Sequence, residues 1–424
     1  SVEGEAFHRE NETLKAHYYS VVFDNQMKTE ITPTDHAAYF RFTAPDSFAK
    51  TTIAFDTFAG EGSLTVNQAE GTASGYALHG ANAYTPRMYF FIKFDSAITK
   101  YRENISFGDV RSWVQFDTPA GNRVVGMWIA TSFISVEQAK DNLEQEIAGK
   151  SFDQIKAEAE AAWNERLNTI HVDGATENQK IILYSNMYRS FLYPNSAWEN
   201  VRKDGKVTAT YVSPYIAQSP EGEISKKIRP GKIWVNNGFW DTYRTNWPLY
   251  TLLIPKETGE MLDGFVNGYK DGGWTSRWSS PGYTDSMVAT STDIVLADAY
   301  MKGVRNFDAE AAYASMLRNA TNVSNDPKQG RRGMDMSIFR GYTATENTDR
   351  SVAWSLEGNL NDFGIAQMAE ALKKDGKKAF NYGDEQGYFA NRAINYVNIF
   401  DPSGTDAWVG GWFRGKNLAG VWND

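Results

Sequence analysis

"SVEQAKDNLEQEIAGKSFDQIKAEAEAAWNERLNTIHV", residues 135–172, divides the chain into two textures. Charged residues and alanines recur in it at helical spacing, and Ser135 followed by Glu137 and Gln138 suits a helix start. The stretch reads as a helical connector. On its N-terminal side, residues 17–135 hold short alternating runs such as "YYSVVFD", "AAYFRFTA", "MYFFIKFD" and "VVGMWIATSF", separated by Gly, Asn, Asp and Pro clusters. Period-two alternation rich in β-branched and aromatic residues, repeated at short spacing, predicts an antiparallel β-sandwich. On its C-terminal side about seven helical patterns recur, among them "ENQKIILYSNMYRSFLY", "KETGEMLDGFVNGYKD" and "SVAWSLEGNLNDFGIAQMAEALKKD". They are joined alternately by short turns and by loops of 20 or more residues, and loops that long in a compact domain are usually functional. The expected class is therefore multidomain β plus α: a β-sandwich over residues 1–140, a helical linker over 141–172, and a helical domain over 173–424. Helical hairpins with elaborated loops suggest an (α/α)6 toroid, while periodicity alone leaves an ordinary α-bundle open.

Composition narrows the chemistry. The formal charge is −9, and basic residues form no run longer than pairs, so the electrostatic footprint of a nucleic-acid binder is missing. With no cysteine in 424 residues, disulfides, thiolate nucleophiles and Cys-based metal sites are excluded. No window approaches the roughly 18 apolar residues that a membrane span needs. All five histidines precede residue 172, which removes a Ser-His-Asp triad and a histidine metal cluster from the helical half. What remains there is carboxylates, amides, arginines and aromatics, the side chains that glycoside chemistry uses. The 13 Trp and 22 Tyr supply flat faces with polar handles, which either fill a large core or stack on sugar rings.

Four aromatic stretches of the helical half carry the candidates. In "NNGFWDTYRTNWPLY", residues 236–250, a continuous helix from Trp240 would set Tyr243, Arg244 and Trp247 on one face with Asp241 at its edge. Asp241 and Arg244, three residues apart, form either a surface ion pair or a hydrogen-bonding couple for adjacent sugar hydroxyls. The loop opening "DGGWTSRWSSPGYTDSMVATSTDIVLADAY", residues 271–300, clusters Trp274, Arg277, Trp278 and Tyr283, with Asp285 just beyond. Asp293 there reads as a helix N-cap. Trp354, Glu357, Asn361 and Asp362 recur at helical turns, and Glu357 reads as a residue favoured by the dipole at a helix start. Asp401, Trp408, Trp412 and Arg414 stand in a Gly-rich loop. Neither "GWFRG" nor "NNG" has the spacing or lysine of a phosphate-binding loop.

The order of "GFWDTYRTNWPLYTLLIP", "GGWTSRWSSPGYTDSMVATSTDIVLADAYMKGV", "SVAWSLEGNLNDFGIAQMA" and "RAINYVNIFDP" resembles glycoside hydrolase family 92, the calcium-dependent, inverting exo-α-mannosidases. The Trp-Asp-Thr-Tyr-Arg run at 240–244 and the Val-Leu-Ala-Asp-Ala-Tyr run from 295 are the most specific matches. The resemblance implies a β-sandwich before an (α/α)6 barrel, terminal α-linked mannose on glycans as substrate, calcium as cofactor, and a secreted or cell-envelope location. It further implies that Asp241 accepts hydrogen bonds from mannose hydroxyls beside Trp240. Arg277, or alternatively Arg244, becomes the cationic partner, and Trp278, Tyr283 and Asp285 belong to the same substrate-binding set. The Glu-Gly-Asn-Ala-Trp, Gly-Asn-Glu-Pro and Gly-Gln-Met-Ser motifs that hold the family's acid, base and part of its calcium site do not occur in the chain. Catalytic residues are accordingly expected beyond residue 424, the barrel is expected to be incomplete here, and a second chain or fragment is an expected partner. A non-catalytic carbohydrate binder and a different (α/α)6 glycosidase remain the alternatives.

Overall fold

The computed structural model describes residues 4–57, 61–78, 87–106, 109–216, 227–403 and 410–423. Trp408 lies outside them. The described residues fall into two compact units: 4–192 with 198–212 and 227–230, and 193–197 with 213–216 and the residues from 231 onward.

Among the described residues, the two large sheets of the first unit are built from twelve strands: Phe7–Lys15 (β1), Tyr18–Phe23 (β2), Lys28–Pro33 (β3), Ala37–Thr43 (β4), Lys50–Asp56 (β5), Glu61–Asn67 (β6), Thr72–Leu78 (β7), Met88–Phe94 (β8), Ile98–Arg102 (β9), Ile105–Ser106 (β10), Asp109–Asp117 (β11) and Val124–Ser132 (β12). An eight-stranded sheet runs β1-β2-β3-β4-β12-β8-β7-β6, and a second sheet pairs β10, β5 and β9 with β11, antiparallel throughout. Alternation decides which side chains lie between them. In β6, Leu64 and Val66 are buried while Thr65 and Asn67 face solvent, and β8 likewise buries Ile92 and Phe94. These four pack with Ile53, Val114 and Phe116 of the other sheet in one cluster. Burying each such side chain contributes roughly 1.5–3 kcal/mol, so the two sheets form the expected antiparallel sandwich around an apolar layer.

The connector is not a free-standing linker. Helices Val136–Glu146 (α1) and Phe152–Leu167 (α2) begin at Ser135 and Ser151, whose hydroxyls accept from the backbone N–H of Gln138 and Gln154. Leu143, Ile147 and Ile155 then pack on the outer face of the eight-stranded sheet against Ala37, Ala130 and Trp128. The compact unit built on the sandwich thus keeps both helices of the stretch read as a linker. Helix Glu177–Ser190 (α3) also belongs to it, as does a three-stranded sheet of Trp198–Lys203, Lys206–Val212 and Ile228–Pro230. That sheet stands in a region read as helical. Its cause is the turn "KDGK": Asp204 and Gly205 both take positive φ, 51° and 73°, the geometry of a tight hairpin turn.

His36 ties this addition to the sandwich. Its Nδ1 lies 2.7 Å from Glu146 Oε1 and its Nε2 2.9 Å from the Trp198 carbonyl oxygen. Both partners can only accept, so the ring fills both contacts as the doubly protonated imidazolium. Burial works against that charge, but the hydrogen bond and charge of Glu146 outweigh it and hold the pKa raised, at about 9. A raised folded-state pKa contributes stability that is complete below the unfolded value of about 6.5 and is lost as pH rises through 9. The cost of His36→Ala in urea unfolding should therefore be larger at pH 6 than at pH 9.5, by on the order of 2–3 kcal/mol. Equal costs at both pH values would contradict the imidazolium.

The second unit holds helices Phe239–Thr242 (α4), Asn246–Leu253 (α5), Pro255–Gly272 (α6), Thr292–Met301 (α7), Ala309–Thr321 (α8), Met334–Arg340 (α9), Ser351–Lys374 (α10) and Tyr382–Ala393 (α11). Helix α7 is apolar nearly all round and is buried nearly all round. Helix α10 packs against α7, α8 and α11. Gly364 of α10 permits the approach to α7: a Cβ there would stand 2.8 Å from Ile294 Cδ1. A β-sheet domain followed by a helical domain is the architecture that the sequence predicts.

Candidate functional site

The helix expected from Trp240 onward is broken in two. Pro248 has no N–H to give to the Arg244 carbonyl, and Thr245 leaves the helical region (φ −131°, ψ −89°) while its hydroxyl donates to the Asp241 carbonyl. The interruption separates anchors from presented groups. Phe239, fully buried, stacks on Trp247 at 5.9 Å and meets Phe265 edge-on at 4.8 Å. Trp247, expected to share a face with Tyr243, belongs instead to this core. With Phe239 anchored, the next two side chains point elsewhere. Trp240 packs half-buried against Val288, Ala289 and Trp354, and Asp241 stands exposed.

The Asp241–Arg244 ion pair does not form. Arg244 instead donates to Glu357 Oε1 of α10 at 3.0 Å, and the Tyr243 hydroxyl donates to Oε2 of the same carboxylate at 3.3 Å. The guanidinium lies 4.3 Å from the Tyr243 ring centre and 4.9 Å from that of Trp240. Burial, with the nearby Glu357 charge, pushes the Tyr243 phenol up to about 12, so it stays neutral and a donor. Glu357 is the seventh residue of α10 rather than part of its first turn, and it serves as the shared acceptor of this triangle. Among the described residues, the Asp241 carboxylate is left with no protein partner.

The 271–291 loop is mostly framework. Tyr283 is 2% exposed: its hydroxyl donates to the Trp274 carbonyl at 2.9 Å and its ring packs on Tyr215, so it has no face to offer a substrate and its expected binding role is corrected. Arg277 is buried as well. Its Nη atoms donate to Asp285 Oδ1 and to the Pro327 carbonyl, both at 2.7 Å, and to the Gly330 carbonyl, while its Nε is buried without a partner among the described residues, so the side chain is enclosed by protein and its assignment as the sugar's cationic partner is corrected. Burial draws its pKa down to about 10, still protonated at neutral pH. Trp278 is half-buried over Gly238, opposite it in the strand pair Asn237–Gly238 and Trp278–Ser279. A Cβ on Gly238 would meet the Trp278 ring at 2.4 Å. Gly238→Ala should then destabilise the fold by about 1–3 kcal/mol through this overpacking, read as a lowered urea midpoint at unchanged slope. No shift in the midpoint would mean that Trp278 yields freely.

Asp285, by contrast, is accessible, and two arginines hold it: Arg277 on Oδ1, and Arg332 on Oδ2 at 2.5 Å. It lines a cavity of about 340 Å³ together with Ser286, Arg332, Thr348, Arg350 and Trp354. Trp354 is common to this cavity and to the Trp240 cluster, and Arg277 and Arg332 lie 5.0 and 5.9 Å from its ring centre. The cation that both holds Asp285 and lines the cavity is thus Arg332, with Arg350 a second cation in the lining. Reading the sequence missed Arg332 and Arg350; "GRRG" at 330–333 is the signal that was present. Asp293 is no N-cap. Ser291 precedes the helix, and the fully buried Asp293 carboxylate accepts from Thr290, Asn319 and Arg331. Asp401 and Arg414 pair with each other at 2.7 Å.

Residues 138–424 match the glycosyl hydrolase family 92 catalytic domain, and residues 1–132 match the family's N-terminal domain. The chain belongs to glycosyl hydrolase family 92. Its fold superimposes on a family 92 inverting mannosidase from Bacteroides thetaiotaomicron with a TM-score of 0.88 at 27% identity, covering 99% of this chain and 55% of that one. A family 92 α-mannosidase of the same bacterium, in complex with mannoimidazole, shares the fold at a TM-score of 0.81 and 24% identity, covering 98% and 53%. An uncharacterized secreted glycosidase of the fungus Arthroderma benhamiae is 24% identical over 100% of this chain and 54% of its own length. The chain spans about half the length of the relatives it matches. Calcium is what the family resemblance implies; among the described residues no three His, Asp or Glu side chains come together, and Asp285 and Glu357 are engaged by arginines.

Proposed function

We propose that this chain forms the substrate-binding part of a glycoside hydrolase that removes terminal α-linked mannose from glycans with inversion, its helices belonging to an (α/α)6 toroid. The observation that carries the reading is the exposed Asp241 carboxylate, unpartnered among the described residues and fixed beside Trp240 by the buried Phe239 anchor. Such a carboxylate accepts two hydrogen bonds from vicinal hydroxyls, and the indole packs an apolar sugar face. Trp278 and Asp285, with Arg244 and Arg332, supply the surrounding surface. In the inverting mechanism one carboxyl group protonates the leaving oxygen and another activates water from the opposite face, the two standing ~6.5–9.5 Å apart. The residues named here bind and orient the sugar. Secretion, the description attached to the fungal relative, is the location that suits a glycan substrate.

The complete gene product should release mannose from an aryl α-mannoside and leave the gluco epimer intact. Release of neither sugar, or of both at equal rates, would sink the proposal. Repeating the assay after chelation and again after restoring calcium tests the cation requirement that the family implies.

A further inference from the structure

The outer face of the eight-stranded sheet carries a second cavity, in the first unit. Cross-strand register aligns Thr72 of β7, Lys93 of β8 and Trp128 of β12 in one row, while the odd-even alternation that buries Ile92 in the sandwich also turns Phe91 to this outer side. Helix α1 lies across the same face and brings Leu143 and Ile147 down beside Trp128 and Phe91. Between helix and sheet these residues enclose about 390 Å³, within the range of small-ligand sites and large enough for one or two sugar rings.

The charges at its rim are unequally engaged. Lys150 is paired with Glu158 at 2.8 Å, and Glu144 stands 3.4 Å from Arg202. Lys93 has no ion-pair partner among the described residues, and Lys140 has only the Phe91 ring, 5.7 Å from its ammonium. Two uncommitted cations therefore flank an aromatic floor in a chain whose net charge is −9. That combination favours an anion with a flat apolar face. The rim also carries Glu70, Glu144 and the Thr72 hydroxyl, so a purely apolar anion would meet carboxylates with nothing to donate to them. A polyhydroxylated anion gives those carboxylates donors, its carboxylate to the lysines and its ring face to Trp128.

We propose that the cavity between α1 and the sheet is a binding site for an acidic sugar, a uronic acid residue of a glycan. It uses no residue of the Asp241 site and does not depend on the mannosidase reading. Calorimetric titration of the chain with methyl β-glucuronide, methyl β-glucoside and benzoate tests it. The uronoside should bind with a millimolar dissociation constant that weakens with added salt. The glucoside and benzoate should each bind at least tenfold more weakly. Lys93→Gln with Lys140→Gln, two exposed substitutions, should weaken the uronoside about tenfold, in line with the loss of two exposed charge contacts. Glucoside binding as tight as uronoside would remove the role of the lysines, benzoate binding as tight would remove the sugar, and no heat from the uronoside at 50-fold above a ~1 mM constant would overturn the site altogether.

Discussion

Asp241→Ala should lower kcat/KM on an α-mannoside by about 100- to 1000-fold while leaving the thermal midpoint within about 1 °C of the parent. Both halves follow from one observation. Asp241 is exposed and, among the described residues, unpartnered, so removing its carboxylate strands no donor and opens no cavity. Surface substitutions of that kind usually stay within about 0.5 kcal/mol of neutral. Two charge-assisted hydrogen bonds to a bound sugar, at ~1.5–3 kcal/mol each, account for the loss of rate. The measurement requires the complete gene product, with kcat and KM determined alongside a melting curve. A variant that retains full activity would remove Asp241 from the site, and one that melts early would show that its role is structural.

The local parts of this site were legible and the long-range parts were not. That Trp240 and Asp241 stand together is written in adjacent letters. That Asp241 is free depends on Arg244 finding Glu357, 113 residues away, in preference to a partner three residues away. Residue type alone could not separate Arg277 from Arg332. Both reach Asp285, but Arg277 is buried and its Nη atoms are held by the carbonyls at 327 and 330, while Arg332 stays at the cavity. The sandwich was readable because alternation is a local property. The docking of α1 and α2 was not, because they carry apolar residues that only the outer sheet face explains, and the Asp204-Gly205 turn was outweighed by the helical patterns around it. Pro248 was visible in a stretch read as one helix, and the weight given to the spacing of its aromatics hid the break.

The largest loss of stability is expected from Arg331→Met, which should cost about 3–5 kcal/mol in urea unfolding at pH 7. Arg331 is the centre of a buried charge cluster. Its guanidinium donates to Asp362 Oδ1 at 2.6 Å and to Asp293 Oδ2 at 3.1 Å, and Arg392 closes the other side of Asp362 at 3.0 Å. The cluster joins α7, α10 and α11 to the segment that carries Arg332, so it sets the frame on which Trp354 and the Asp285 cavity rest. Burial already pushes the Asp293 carboxyl up to about 6 against the pull of Arg331, Thr290 and Asn319. Without the guanidinium, only the two neutral donors remain to hold that charge. The variant's Asp293 must then ionise unfavourably in the folded state, with a pKa raised further above its unfolded value. A carboxyl group so raised destabilises as pH climbs past the unfolded value near 3.8 and is relieved as pH falls, so the deficit of Arg331→Met should shrink between pH 7 and pH 5. Adding Asp293→Asn should recover part of it at pH 7 and remove most of its pH dependence. A deficit that is independent of pH and unmoved by Asp293→Asn would assign the loss to packing around Arg331 rather than to the stranded charge.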